Sequence, residues 1–176
     1  MRTICLAPAI ALFALSAPAT AQSAYSCADT PGFHDFDFWL GNWSVTDRAT
    51  GKHAGENRIE AIEAHCALVE TWAGNGGSTG MSLNLYNPVT ARWRQVWVSA
   101  GGYSIDIEGR LKDGAMVLEG SIFYYGQPAA IPFRGTWSAE ADGSVRQYFQ
   151  QYDAKTSTWN DWFDGRYERV KAVPQP

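Results

Sequence analysis

Cysteine, histidine and excess positive charge are scarce in this chain, and each shortage removes a class of function. Its 176 residues include 3 Cys and 3 His. No two of His34, His53 and His65 have metal-ligand spacing, and no carboxylate cluster completes a set, so neither a metal site nor a cofactor is expected. Lys and Arg number 14 against 18 Asp and Glu, a formal charge of −4, so the basic face that nucleic-acid binding requires is missing. There is no Gly-x-Ser-x-Gly elbow to carry a serine nucleophile. Gly74-Asn75-Gly76-Gly77-Ser78-Thr79-Gly80 is glycine-rich, but it has no Lys and no following helix for a phosphate, and it reads as a loop between strands. Past the N-terminus no apolar run approaches the roughly 20 residues of a membrane-spanning helix.

The N-terminus reads as an address. Arg2 supplies a positive start, Ile4 to Leu15 form an uncharged apolar run, and Ala19-Thr20-Ala21 is a small-x-small cleavage signal. Residues 1–21 are therefore expected to be a signal peptide, giving a periplasmic or secreted protein. Cys5 leaves with that segment. Cys27 and Cys66 remain in an oxidising compartment, and a disulfide between them would tether a lead, residues 22–32, to a body spanning 33–173.

Aromatic residues are abundant: 8 Trp, 8 Tyr and 8 Phe, enough apolar surface to offset the entropy of ordering the chain. Phe33 to Leu40 are dense enough in apolar residues for a short helix closed by Gly41. From there the pattern alternates. Met81, Leu83 and Leu85 interleave with Gly80, Ser82 and Asn84; Tyr103, Ile105 and Ile107 with Ser104, Asp106 and Glu108. Met116, Leu118, Ile122 and Tyr124, then Phe133, Gly135 and Trp137, continue it. Turn residues at Asn87-Pro88, Gly101-Gly102, Asp113-Gly114 and Asp142-Gly143 separate the runs. Strands are expected near 43–48, 56–64, 66–73, 79–86, 92–99, 103–110, 115–124, 131–138, 144–152 and 159–170. No connection can hold a crossover helix, so sequential antiparallel pairing follows, and a meander of about ten twisted strands closes into a barrel that leaves no exposed edge. Tyr86-Asn87 with Thr90 and Trp93 returns as Tyr152-Asp153 with Thr156 and Trp159, which reads as one hairpin chemistry used twice.

Gly41-Asn42-Trp43, after a short helix and before a strand-only meander, resembles the glycine-x-tryptophan signature of the calycins: lipocalins, fatty-acid-binding proteins and nitrobindin-like barrels. The resemblance implies that Trp43 closes one barrel end and that a late arginine, Arg166 or Arg169, stacks across it. The whole body is similar to a family of uncharacterised exported bacterial proteins. The segments that carry the similarity are Phe36-Asp37-Phe38-Trp39-Leu40-Gly41-Asn42-Trp43, Asn57-Arg58-Ile59-Glu60, Trp93-Arg94-Gln95-Val96-Trp97-Val98 and Phe163-Asp164-Gly165-Arg166-Tyr167. It implies a lipocalin-like barrel and brings no activity with it. Tetrapyrrole-binding relatives use a late-strand histidine; no histidine follows His65 here, so haem is not expected.

For chemistry, Asp106, Glu108 and Arg110 share one strand face with Glu119 nearby, and they read as solvent-facing charges. Asp161 and Asp164 alternate faces and form no pair. No catalytic residue stands out. Aromatics mixed with Gln on inward faces suit a pocket, and a barrel of this size has room for one small ligand. The candidate liners are Trp72, Trp93, Gln95, Trp97, Tyr124, Trp137, Phe149 and Trp162. The expectation is a monomeric binding protein for a small hydrophobic or amphipathic molecule. Two alternatives have stated requirements. A hydrolase or isomerase needs an inward carboxylate beside an arginine, with a raised pKa. An envelope- or carbohydrate-binding module needs two of Trp39, Trp159 and Trp162 exposed and coplanar.

Overall fold

The structure, a computed structural model, describes residues 25–170. The expected signal peptide, residues 1–21, lies outside them. The ten expected runs are ten strands: β1 Gly41–Asp47, β2 His53–Ile62, β3 Ala67–Gly74, β4 Thr79–Asn87, β5 Arg92–Ser99, β6 Tyr103–Lys112, β7 Ala115–Tyr124, β8 Ile131–Ala139, β9 Val145–Asp153 and β10 Thr158–Arg169. Each pairs antiparallel with its successor, and β1 pairs with β10, so the sheet closes as an up-and-down barrel. No helix among the described residues is long and apolar enough to cross a membrane.

The short helix expected over Phe33–Leu40 is present, as two successive 3₁₀ turns, Pro31–His34 and Asp37–Trp39. Residue spacing explains this. Phe33, Phe36 and Trp39 are three apart and all buried, and a 3₁₀ helix aligns side chains at that period. Phe36 stacks on Trp39 at 4.9 Å and meets Trp93 and Trp137 at 5.7 and 5.3 Å. The segment is thereby a plug in one end of the barrel. A disulfide joins Cys27 to Cys66, with Cα atoms 5.0 Å apart, and fastens the lead to the β2–β3 turn.

The repeated hairpin is present in both copies. Asn87 Oδ1 accepts the Val89 amide at 2.9 Å, and Asp153 Oδ1 accepts the Lys155 amide at 2.8 Å. In each, the tyrosine faces its tryptophan across the strand pair, 5.8 Å for Tyr86 and Trp93 and 5.5 Å for Tyr152 and Trp159. Their faces differ: Trp93 is buried, whereas Trp159 lies beneath Arg134, 4.3 Å from its guanidinium carbon.

Strand β4 is inverted relative to a simple apolar-in reading. Met81, Leu83 and Leu85 are exposed, and Ser82 and Asn84 are buried. The reason lies on β3, where Glu70 points inward and takes a hydrogen bond from Ser82. A buried carboxyl must be satisfied, so the neighbouring strand turns its polar face to the lumen.

Candidate functional site

The lumen is built in three layers. At the plugged end, Phe36, Trp39, Trp43, Trp93 and Trp137 are all buried in one cluster. Arg169 covers Trp43 with its guanidinium carbon 4.3 Å from the ring centroid. Arg166 instead turns outward to Asp142 at 2.6 Å and Glu168 at 3.3 Å, so the late arginine on the closing tryptophan is Arg169.

The middle layer is polar. Asn57, Glu70, Ser82, Asn84, Gln95 and Gln147 are all buried, as is Tyr167. Glu70 Oε1 accepts Asn57 Nδ2 at 2.7 Å, and its Oε2 accepts Ser82 Oγ at 2.6 Å. Asn84 Nδ2 donates to Ser82 Oγ at 2.9 Å, and Gln95 Nε2 to Asn84 Oδ1 at 3.0 Å, extending the chain around the wall. Asn57 Nδ2 also reaches the Tyr167 hydroxyl at 3.3 Å, and that hydroxyl donates to Gln147 Oε1. Burial raises the Glu70 carboxyl to about 7 against the partial relief of its two donors. Burial, with Glu70 nearby, likewise pushes the Tyr167 hydroxyl well above its usual range.

Above that layer is a cavity of about 140 Å³. Glu70, Gln95, Gln147 and Tyr167 supply its polar surface; Ile105 and Phe149 line it lower down. Trp72, Trp97, Tyr103, Trp162 and Phe163 form its rim, and because these rings are only half-buried the cavity opens at the end opposite the plug. Inward glycines make space for the rings: the Trp97 ring lies over Gly80, and a Cβ on Gly135 would fall 2.5 Å from Phe149 Cε1. Trp97 Nε1 is buried and has no hydrogen-bond partner. Among the described residues no lysine or arginine lines the cavity.

Of the expected liners, Trp72, Gln95, Trp97, Phe149 and Trp162 meet at this cavity. Trp93 and Trp137 belong to the plug, where Trp93 Nε1 donates to the Gly32 carbonyl at 3.1 Å. Tyr124 stands beside the rim, donating to Gln151 at 2.7 Å and accepting from Trp162 at 3.0 Å. Sequence reading missed Glu70, Tyr103, Gln147 and Tyr167. The trace Glu70 left is its position: it shares the alternation of Leu68 and Trp72, both inward, so a charge at that spacing marks an inward carboxyl.

Asp106 and Glu108 face outward as expected. Asp106 pairs with Arg94 at 2.6 Å and Glu108 with Arg92 at 3.0 Å. The stacking platform required for carbohydrate does not form, since Trp39 is completely buried, Trp162 faces the cavity and Trp159 is under Arg134. Glu70 meets the enzyme requirement in part: it is inward and its pKa is raised, but its partners are Asn57 and Ser82 rather than an arginine. By sequence spacing the three histidines are unrelated. The fold instead brings His34 and His65 onto one carboxylate, that of Asp37.

Compared with known proteins, the chain matches no family model and no curated protein.

Proposed function

We propose that this is an exported binding protein whose barrel lumen holds a small amphipathic molecule of a single ring, neutral or cationic in its polar part. The carrying observation is Glu70, a buried carboxyl at the floor of an aromatic-walled cavity with no basic neighbour lining it. Size supports a single ring, because about 140 Å³ is close to the roughly 150 Å³ of an engineered apolar cavity that admits benzene. A fatty acyl chain or a tetrapyrrole exceeds it with the rings as they stand. Charge supports the polar end. An anion would face Glu70 uncompensated, whereas an ammonium group gains the carboxylate and the faces of Trp72, Trp97 and Trp162. The Cys27–Cys66 disulfide fits export to an oxidising compartment, and the calycin-like features around Trp43 fit a lumen used for ligands.

Benzylamine, benzyl alcohol and benzoate share one ring and differ in charge. Titrated calorimetrically into the protein at pH 8, they should bind in that order, with benzylamine at least tenfold tighter than benzoate. Equal or tighter binding of benzoate would overturn the charge argument, and no binding of any of the three would mean that the cavity is packing space. A second reading uses the same carboxyl: with a pKa of about 7, Glu70 is suited to general acid–base work. It requires that a bound molecule, identified by native mass spectrometry, be converted on incubation, and that Glu70→Gln abolish the conversion while retaining binding.

A further inference from the structure

We propose that His34, Asp37 and His65 form a binding site for one divalent transition-metal cation of the zinc class, at the plugged end of the barrel and independent of the lumen. Spacing along the chain argues against a metal because the two histidines lie 31 positions apart. The fold overrides that. His34 Nδ1 lies 2.7 Å from Asp37 Oδ2, and His65 Nε2 lies 2.7 Å from Asp37 Oδ1. The ligand atoms of all three residues fall within 4.8 Å of one another, and the imidazole centroids are 4.4 Å apart.

Two independent features separate this arrangement from a chance meeting of side chains. First, His34 Nε2 is 2.8 Å from the Ala28 carbonyl oxygen, to which it donates its proton. A metal ion would replace the proton that Nδ1 shares with Asp37, and a backbone carbonyl holding the far nitrogen is the usual outer support of a metal-binding histidine. Second, the three groups are fixed from three directions. Asp37 begins the second 3₁₀ turn, His34 ends the first, and His65 is presented by a turn in which Glu63, Ala64 and His65 all have positive φ, 49°, 52° and 71°. That conformation is costly for residues with a Cβ. The disulfide adjoins both sides of the cluster, through Cys66 beside His65 and Cys27 beside Ala28.

Two imidazole nitrogens and a carboxylate oxygen are the ligand set of an open tetrahedral zinc site, with water as the fourth ligand. The side chains of His34, Asp37 and His65 are 38%, 33% and 19% exposed, which leaves solvent access for that water and an entry path for the ion.

The test is calorimetric titration of zinc chloride into untagged, oxidised, EDTA-treated protein, in which both thiols are consumed by the disulfide. One equivalent should bind. His34→Gln and His65→Gln should each weaken binding by at least tenfold, the lower end of the roughly 10- to 100-fold that loss of a mere outer-shell partner costs. His53→Gln should leave it unchanged, since His53 pairs with Glu56 elsewhere. Should His65→Gln fail to fold, His34→Gln decides, because its ring is partly exposed and its loss leaves the barrel core intact. Absence of zinc binding by the unsubstituted protein, or binding that survives both cluster substitutions, overturns the proposal and leaves a proton-bridged cluster.

Discussion

The Arg169 guanidinium lies over Trp43, its carbon 4.3 Å from the ring centroid, and donates from Nη1 to the Leu40 carbonyl at 2.8 Å. One side chain thus covers the face of a fully buried indole and satisfies the backbone where the plug enters β1. Arg169→Met retains the aliphatic stem and removes both interactions. It should lower stability to urea by about 1 kcal/mol, the size of a partly exposed cation–π contact. Arg166→Met, which breaks exposed ion pairs only, should change it by less. Equal effects from the two would show that the stack contributes nothing.

Glu70 should make the barrel less stable as pH rises through neutrality. Its pKa is 4.5 when unfolded and about 7 in the barrel, so between those values the folded state binds more protons than the unfolded one. The corresponding stability is complete below about pH 4.5 and is lost as pH climbs through 7, on the order of 3 kcal/mol in all. His34 acts in the same direction, because its hydrogen bond to Asp37 raises its pKa above 6.5. The difference between the unsubstituted protein and Glu70→Gln isolates the lumen. Melting temperatures from pH 5 to 8 should fall more steeply for the former; parallel curves would refute a buried, proton-linked Glu70.

The strand meander was legible because turn residues and period-two alternation are local signals; antiparallel pairing followed from the absence of any crossover helix, and closure from the edges an open meander would expose. The rest was not local. Strand β4 looks like a normal half-buried strand, yet it is the partner carboxyl on β3, Glu70, that decides which of its faces turns inward. Likewise, nothing in the spacing of His34 and His65 reports the plug that folds Asp37 between them. The tryptophans show the same limit. Trp93 and Trp97 share a face of β5, but only the plug's position makes one of them core and the other cavity wall.

That division has a measurable consequence. Trp137 is completely buried against Phe36, Trp39 and Phe149, so Trp137→Ala should cost about 3–5 kcal/mol, the range for removing a large core aromatic. Trp97 is half-buried at the rim, and Trp97→Ala should cost clearly less while weakening benzylamine binding at least fivefold. Chemical denaturation and calorimetry on the two variants separate the cases. If Trp97→Ala unfolds the barrel as readily as Trp137→Ala, the lumen above Glu70 is core.

The disulfide should contribute through the unfolded chain more than through the barrel. Cys27 and Cys66 are 39 residues apart in sequence, a loop whose closure is worth about 4 kcal/mol in the chain-entropy account. The aromatic plug stays held by its own packing, since Phe36 and Trp39 are fully buried without any contribution from the sulfurs. Replacing both cysteines by serine should therefore lower the unfolding free energy by about that amount. Amide exchange should accelerate locally at residues 25–30, with the barrel strands following only the global loss. A drop of less than about 1 kcal/mol would mean that the reduced, unfolded chain already keeps its two ends together. Loss of the plug's protection in an otherwise folded barrel would instead assign the docking of residues 31–39 to the cross-link rather than to Phe36 and Trp39.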